Sequence, residues 1–323
     1  MLTIGLLGAS HIAPVSVIAP ATRRADVDVI AVASRSLESA TDYARAHHID
    51  RVYGSYESLL ADPDVDLVYN ALPPSEHAPW SIAALNAGKN VLCEKPFALN
   101  SAQARSMREA ASINNRRIIE AFHDYYHPLS AELRSLFASK KLGEIEHLDA
   151  EFLAAIPYDP ISLRHDRALG GGALMDLGCY PLHWVRTLMG EEPRIVSAEA
   201  EFGPLGADTT ICAHLEFSRG TTATVQARMD LPEGQRNSLT VRGTRGSVSV
   251  NNIVFPTFGH RIHEVIDGVT WDRTVAGLST YDHQMEAIVD GLATGTPLPT
   301  EGEDSVANMV AIDAIYRAAG AMD

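Results

Sequence analysis

Between residues 2 and 121, short apolar runs alternate with helix-patterned segments, and this alternation constrains the fold more than any other feature of the chain. Leu2 to Leu7, Val27 to Ala33, Val65 to Ala71, Asn90 to Cys93 and Arg117 to Ala121 have the length and side-chain branching of buried strands. Ile12 to Ala25, Leu37 to His47, Pro79 to Ala87 and Ser101 to Asn114 carry helical patterns between them. Strands separated by helices of this length are joined by right-handed crossovers, so they lie parallel in one sheet covered on both faces. The expected fold is α/β, opening with a Rossmann-type doubly wound domain over residues 1–123.

From about residue 124 the pattern changes. A helix over Pro128 to Ser139 is followed by strand-like Ile145 to Ala154, Ile195 to Phe202, Thr209 to Phe217, Thr221 to Met229, Ser238 to Arg242 and Ser247 to Val250. Several alternate polar with apolar residues, which predicts a large open, mostly antiparallel sheet with one face on helices and the other free. A free face of that kind suits a homodimer or homotetramer. Two helices, Tyr281 to Leu292 and Asp304 to Ala319 with Asp304 as N-cap, complete a second, α+β domain over residues 124–323. These helices could also pack back on the first domain.

A length of 323 residues is about two domains' worth of chain. Lys and Arg total 26 against 41 for Asp and Glu, a net charge of -15, which disfavours a nucleic-acid or anionic membrane surface. Cys93, Cys179 and Cys212 are far apart, as in a reduced compartment. The apolar start has no cation before Arg23 and no run reaches the ~18 apolar residues of a membrane span, so a cytoplasmic protein is expected. His47, His48, His123, His127 and His165 lack zinc spacing, and no Gly-x-Ser-x-Gly elbow exists. No metal is expected.

The first strand runs into Gly8-Ala9-Ser10-His11-Ile12-Ala13. In a dinucleotide turn the first glycine makes the tight bend, and small residues follow where the pyrophosphate approaches a helix N-terminus. Here Gly8 matches strictly, with Ser10 and Ala13 as small replacements. At the carboxyl end of the second strand stand Ser34 and Arg35 with no acid beside them, whereas Asp26 and Asp28 precede it. An acid there would bind a ribose 2′-OH and an arginine accommodates a 2′-phosphate, so NADP is predicted over NAD.

Two further groups carry chemistry. Glu94-Lys95-Pro96 leaves the carboxyl end of Asn90 to Cys93, where open α/β sheets bind ligands. Gly170-Gly171-Gly172 precedes a helix on which Asp176, Tyr180 and His183 fall at i, i+4 and i+7, a polar stripe able to line one pocket. Each of these three residues alone would suit a hydrogen-bonded core network.

These motifs, with the tail Tyr281-Asp282-His283-Gln284-Met285-Glu286-Ala287, resemble the glucose-fructose oxidoreductase, inositol dehydrogenase and MocA family over nearly the whole chain. The chain looks most like the NADP-linked branch containing dihydrodiol and xylose dehydrogenases. The resemblance implies a nicotinamide-linked oxidation or reduction of a sugar, polyol or cyclic alcohol, and dimers formed through the open sheet. By matching position, Lys95 contacts substrate and nicotinamide ribose, and Glu94 shares its motif on the cofactor side. Ala71, Leu72, Pro73 and His77 match the loop along the cofactor, and Arg164 a cofactor-contacting arginine. Tyr180 stands where this branch has its catalytic tyrosine, and His183 where inositol-type enzymes have an aspartate. A free tyrosine titrates near 10, and a neighbouring ammonium favours its phenolate. The implied roles are Tyr180 as acid/base, Lys95 as electrostatic partner and clamp, and Asp176 as orienting carboxylate, although Lys95 and Tyr180 could exchange roles. Two other classes remain open: a glycoside hydrolase using bound nicotinamide transiently, and a non-catalytic NADP-binding regulatory protein. Specificity is expected in loops Ala155 to Asp166 and Phe255 to Val269.

Overall fold

The computed structural model describes residues 1–322. The chain divides into two compact units. The first comprises Met1–Phe122 with Tyr281–Val306, and the second comprises His123–Thr280 with the residues from Ala307 onward.

In the first unit, strands β1 (Leu2–Leu7), β2 (Val27–Ala33), β3 (Arg51–Tyr53), β4 (Leu67–Asn70), β5 (Asn90–Cys93) and β6 (Ile118–Glu120) form one sheet in the order β3-β2-β1-β4-β5-β6. Every adjacent pair is parallel. The chain passes from β1 to one side of the sheet and from β4 to the other, so the carboxyl ends of these neighbours open the crevice where such sheets bind ligands. A π turn at Pro14–Ile18 leads into α1 (Ala19–Thr22); α2 (Leu37–His47), α3 (Tyr56–Leu60), α4 (Pro74–Asn86) and α5 (Ser101–Ile113) follow. Ser36 and Asn100 cap α2 and α5 by accepting from the backbone N–H of Ser39 and Gln103. Ile4, Leu6, Val17, Val32, Leu67, Tyr69 and Leu92 pack with Met285 and Ile288 from the helix Thr280–Thr294 in one core.

Two elements of this unit were absent from the sequence reading, the short β3 and α3. Helix α4 begins at Pro74, ahead of the expected Pro79, because a proline at the first helical position loses no hydrogen bond there.

The second unit holds α6 (Pro128–Ala138), α7 (Cys179–Met189) and eight strands: β7 (Ile145–Ala155), β8 (Arg194–Phe202), β9 (Asp208–Glu216), β10 (Thr222–Arg228), β11 (Asp230–Gly243), β12 (Gly246–Asn251), β13 (Arg261–Ile266) and β14 (Val269–Arg273). Their order is β14-β13-β12-β11-β7-β10-β9-β8. Only β7 and β10 pair in parallel, so the sheet is mostly antiparallel as expected. Burial alternates along β10, as it must for a sheet with one packed face.

The expected loop Phe255 to Val269 instead contains β13, which pairs antiparallel with the edge strand β14, and Arg261 Nε donates across to Asp272. The segment Ser238 to Arg242 lengthens to β11, and the last helix, Glu303–Ala318, starts one residue before Asp304, which lies in its first turn and is not the cap. Among the described residues no helix is long and apolar enough to cross a membrane.

Candidate active site

At the crevice of the first unit, Gly8 leaves β1 with φ +90°, and a Cβ there would stand 2.9 Å from Leu72 Cδ2. Only glycine takes this bend without strain. The backbone N–H of Gly8 donates to Ala33 O at 2.9 Å, and Ser10 Oγ accepts from the N–H of Ala13 at 3.3 Å. The Tyr43 hydroxyl donates to Ser10 O at 2.9 Å and fixes the turn from α2; burial pushes its pKa up to about 12, so it remains a donor. His11 is exposed, Ala9, Ser10 and Ile12 half-buried. Ser34 is half-buried at the end of β2 and Arg35 is exposed, before the Ser36 cap. A turn free of bulk beside a helix N-terminus, with a cation at the next strand end, fits a nicotinamide dinucleotide.

Behind this turn, the Tyr69 hydroxyl donates to Glu94 Oε1 at 2.6 Å and lies 2.8 Å from Ser16 Oγ. Glu94 thereby holds the first residue past β5 against β4, and half-buried Lys95 follows it, joined to Pro96 by a cis peptide. Ala71 and Pro73 are half-buried and Leu72 buried. His77 is fully buried, its ring nitrogens 2.8 Å from Leu72 O and 2.9 Å from Pro96 O. It braces the loop after β4 against the segment after β5. Burial, outweighing the two carbonyls, pulls its pKa down to about 4.

In the second unit, Gly171 lies against backbone and Gly172 against buried side chains. A Cβ on Gly171 would fall 2.3 Å from Leu163 O, and one on Gly172, at φ +133°, would fall 2.1 Å from Asp208 Oδ1. Buried Asp208 accepts from Leu174 N at 2.8 Å and from the Tyr316 hydroxyl at 2.7 Å, which fixes the start of the helix. Leu174–Gly178 is a π turn, and α7 follows. Asp176 lies in the π turn, and Tyr180 and His183 lie in α7 beyond it. The three polar side chains have different partners. Asp176 Oδ2 accepts from Arg164 Nε at 2.8 Å; the Tyr180 hydroxyl lies 3.2 Å from His123 Nε2; and His183 packs its ring 5.7 Å from that of Tyr125, in a small cavity shared with Asp124, Arg134 and Trp184.

The profile described as an oxidoreductase family with an NAD-binding Rossmann fold matches residues 2–122, and that of the GFO/IDH/MocA C-terminal domain matches residues 130–249. A D-xylose 1-dehydrogenase (NADP(+)) of Haloferax volcanii is 33% identical over 98% of this chain and 96% of its own. The chain belongs to the GFO/IDH/MocA oxidoreductase family. A trans-1,2-dihydrobenzene-1,2-diol dehydrogenase of Xenopus laevis is 37% identical over 71% of this chain and 69% of its own. The crystal structure of an aldose-aldose oxidoreductase from Caulobacter crescentus, complexed with glycerol, superposes with a TM-score of 0.90 at 27% identity, covering 99% of this chain and 97% of that one. These relatives include the branch that the motifs resemble.

Within this GFO/IDH/MocA oxidoreductase the sequence reading passed over His123, Asp124 and Thr280. His123 was weighed only as a metal ligand. Its position just past the expected strand Arg117 to Ala121 was the available signal, because residues leaving the carboxyl ends of strands in such sheets line ligand sites.

Proposed function

We propose that the chain is an NADP-linked dehydrogenase that moves a hydride between the nicotinamide and a carbinol carbon of an aldose, polyol or cyclic diol. When bound, the nicotinamide takes up or gives back the hydride. The chain's own work is to hold the dinucleotide and to handle the proton. Gly8 to Ile12, Ala71 to Pro73, Glu94 and Arg164 would border the dinucleotide, and Ser34 and Arg35 would meet its 2′-phosphate. Tyr180 exchanges the proton of the substrate oxygen, Lys95 clamps that oxygen, and Asp176, paired with Arg164, orients the segment.

The observation that carries this reading is a buried phenol, Tyr180 on α7, with its hydroxyl 3.2 Å from the His123 imidazole. The names of the xylose and dihydrodiol dehydrogenases support the substrate class, and the NADP of the former supports the cofactor. The protein is further read as cytoplasmic, pairing with a second copy through the free face of its eight-stranded sheet.

The test is a screen of aldoses, inositols and cyclic diols, each with NADP and with NAD, followed by absorbance of the reduced nicotinamide. Turnover of a sugar or diol with NADP is expected. Activity with NAD alone would overturn the reading of Arg35, and glycoside cleavage with no net reduction would place the enzyme among the hydrolases.

A further inference from the structure

The chain enters the second unit through a short 3₁₀ turn, His123–Tyr126, which lies against α7. Two hydrogen bonds hold it there. The His123 imidazole meets the Tyr180 hydroxyl at 3.2 Å, and the carboxylate of Asp124 accepts from Trp184 Nε1 at 2.6 Å. Tyr180 and Trp184 are one helical turn apart, so neighbouring residues of the turn reach neighbouring rungs of one helix face. The other ring nitrogen of His123, Nδ1, lies 2.7 Å from Thr280 Oγ1. All five side chains are at most 5% exposed. The rings of Tyr180 and Phe255 stand 5.9 Å from the His123 ring, and Phe152 lies 5.8 Å from the Tyr180 ring. A phenol, an imidazole and a hydroxyl thus stand in line within an apolar surround.

We infer that His123 is the proton partner of Tyr180, with Thr280 orienting its ring and the Asp124–Trp184 bond holding the turn in place. The inference rests on the reading of Tyr180 as acid/base. In the oxidation, the substrate oxygen gives its proton to the Tyr180 oxygen as the phenolic proton already there moves to His123 Nε2. Tyr180 stays neutral, the imidazole becomes an imidazolium, and the two electrons leave with the hydride for the nicotinamide. Nδ1–H donates to Thr280 Oγ1 throughout, which keeps Nε2 as the acceptor in the resting state. The phenolate is never left exposed as a free charge in an apolar site, where its desolvation would be costly. A base oriented by a third group is the general device for activating a weak acid of this kind. In the reduction the same protons run backwards.

The first measurement needs no turnover. With ¹⁵N-labelled histidine and no cofactor, the Nε2 resonance of His123, assigned by its loss in His123→Gln, is expected at the position of an unprotonated, hydrogen-bonded nitrogen and should move in Tyr180→Phe. A proton on Nε2 in the resting protein would overturn the relay, since that nitrogen could not then take up the phenolic proton.

The second measurement uses the fastest substrate of the screen with NADP. His123→Gln keeps a polar group facing Tyr180 and cannot take up its proton. It should lower kcat by about 10²-fold, the scale of a lost acid/base group, with KM within about twofold. Its solvent proton inventory should become linear where that of the native enzyme is curved. Wild-type kcat in His123→Gln, beside a large loss in Tyr180→Phe, would overturn the relay alone. Wild-type kcat in both would overturn the reading of Tyr180 as well. Should the Gln variant not fold, Thr280→Val leaves His123 in place and should shift protonation from Nδ1 toward Nε2; an unchanged nitrogen spectrum there would contradict the orienting role.

Discussion

Tyr69 and Glu94 are joined by a hydrogen bond of 2.6 Å, phenol to carboxylate, between two adjacent strand ends of the parallel sheet. Tyr69 is 1% exposed, and burial beside the Glu94 carboxylate raises its pKa well above the ordinary tyrosine value, so the phenol keeps its proton and donates the hydrogen bond to Glu94. The bond positions the residue that immediately precedes Lys95. Tyr69→Phe removes a hydrogen bond to a charged acceptor, and the cost is expected to be about 2 kcal/mol in unfolding free energy. Urea unfolding at neutral pH measures this, and a change below about 0.5 kcal/mol would show that the bond is structurally idle.

His77 gives the first unit a pH dependence of definite sign. Its folded pKa, pulled down to about 4 by burial, lies below the ~6.5 of an unfolded histidine, so the unfolded chain takes up the proton first. Its contribution is constant above about pH 6.5, and stability is lost as pH falls toward 4, by up to ~1.4 kcal/mol per pH unit. His77→Gln should flatten that part of the curve, whatever its effect at pH 7.5. Urea midpoints at pH 7.5, 5.5 and 4.5 for both proteins provide the check. A native stability that rises on acidification relative to the variant would mean that the two carbonyls, Leu72 O and Pro96 O, hold a charged ring.

Arg35 is exposed at the end of β2, where a 2′-phosphate would meet it. Charge-assisted bonds to phosphate are strong and specific, so Arg35→Ala should weaken NADP binding about 10- to 100-fold and leave NAD binding within about twofold. Titration calorimetry with each dinucleotide measures the ratio. Equal losses for both would remove Arg35 as the discriminating residue.

The doubly wound unit is written plainly in the chain because β1, β4 and β5 are largely buried and Ser36 and Asn100 cap α2 and α5. Leu37–His47 and Asn90–Cys93 lie where their patterns put them. What escaped had weak local signals. Arg51–Tyr53 is only three residues long, and Arg261–Ile266 with Val269–Arg273 lies at a sheet edge where Val269 and Trp271 alternate but stay exposed. The spacing of Asp176, Tyr180 and His183 gave no sign of the π turn at Leu174–Gly178, which holds Asp176. The third failure was through space. His123 and Tyr180 are far apart along the chain, and nothing in the spacing of either foretells their hydrogen bond. Gly171 and Gly172 are closely approached by the chain itself, at Leu163 and Asp208.

The account turns on Tyr180 as the group that exchanges the substrate's proton, and the most direct measurement is the steady-state turnover of Tyr180→Phe with NADP, set beside its affinity for NADP. The account predicts a fall in kcat of about 10²-fold or more with the dissociation constant for NADP unchanged. Turnover equal to that of the native enzyme would contradict it.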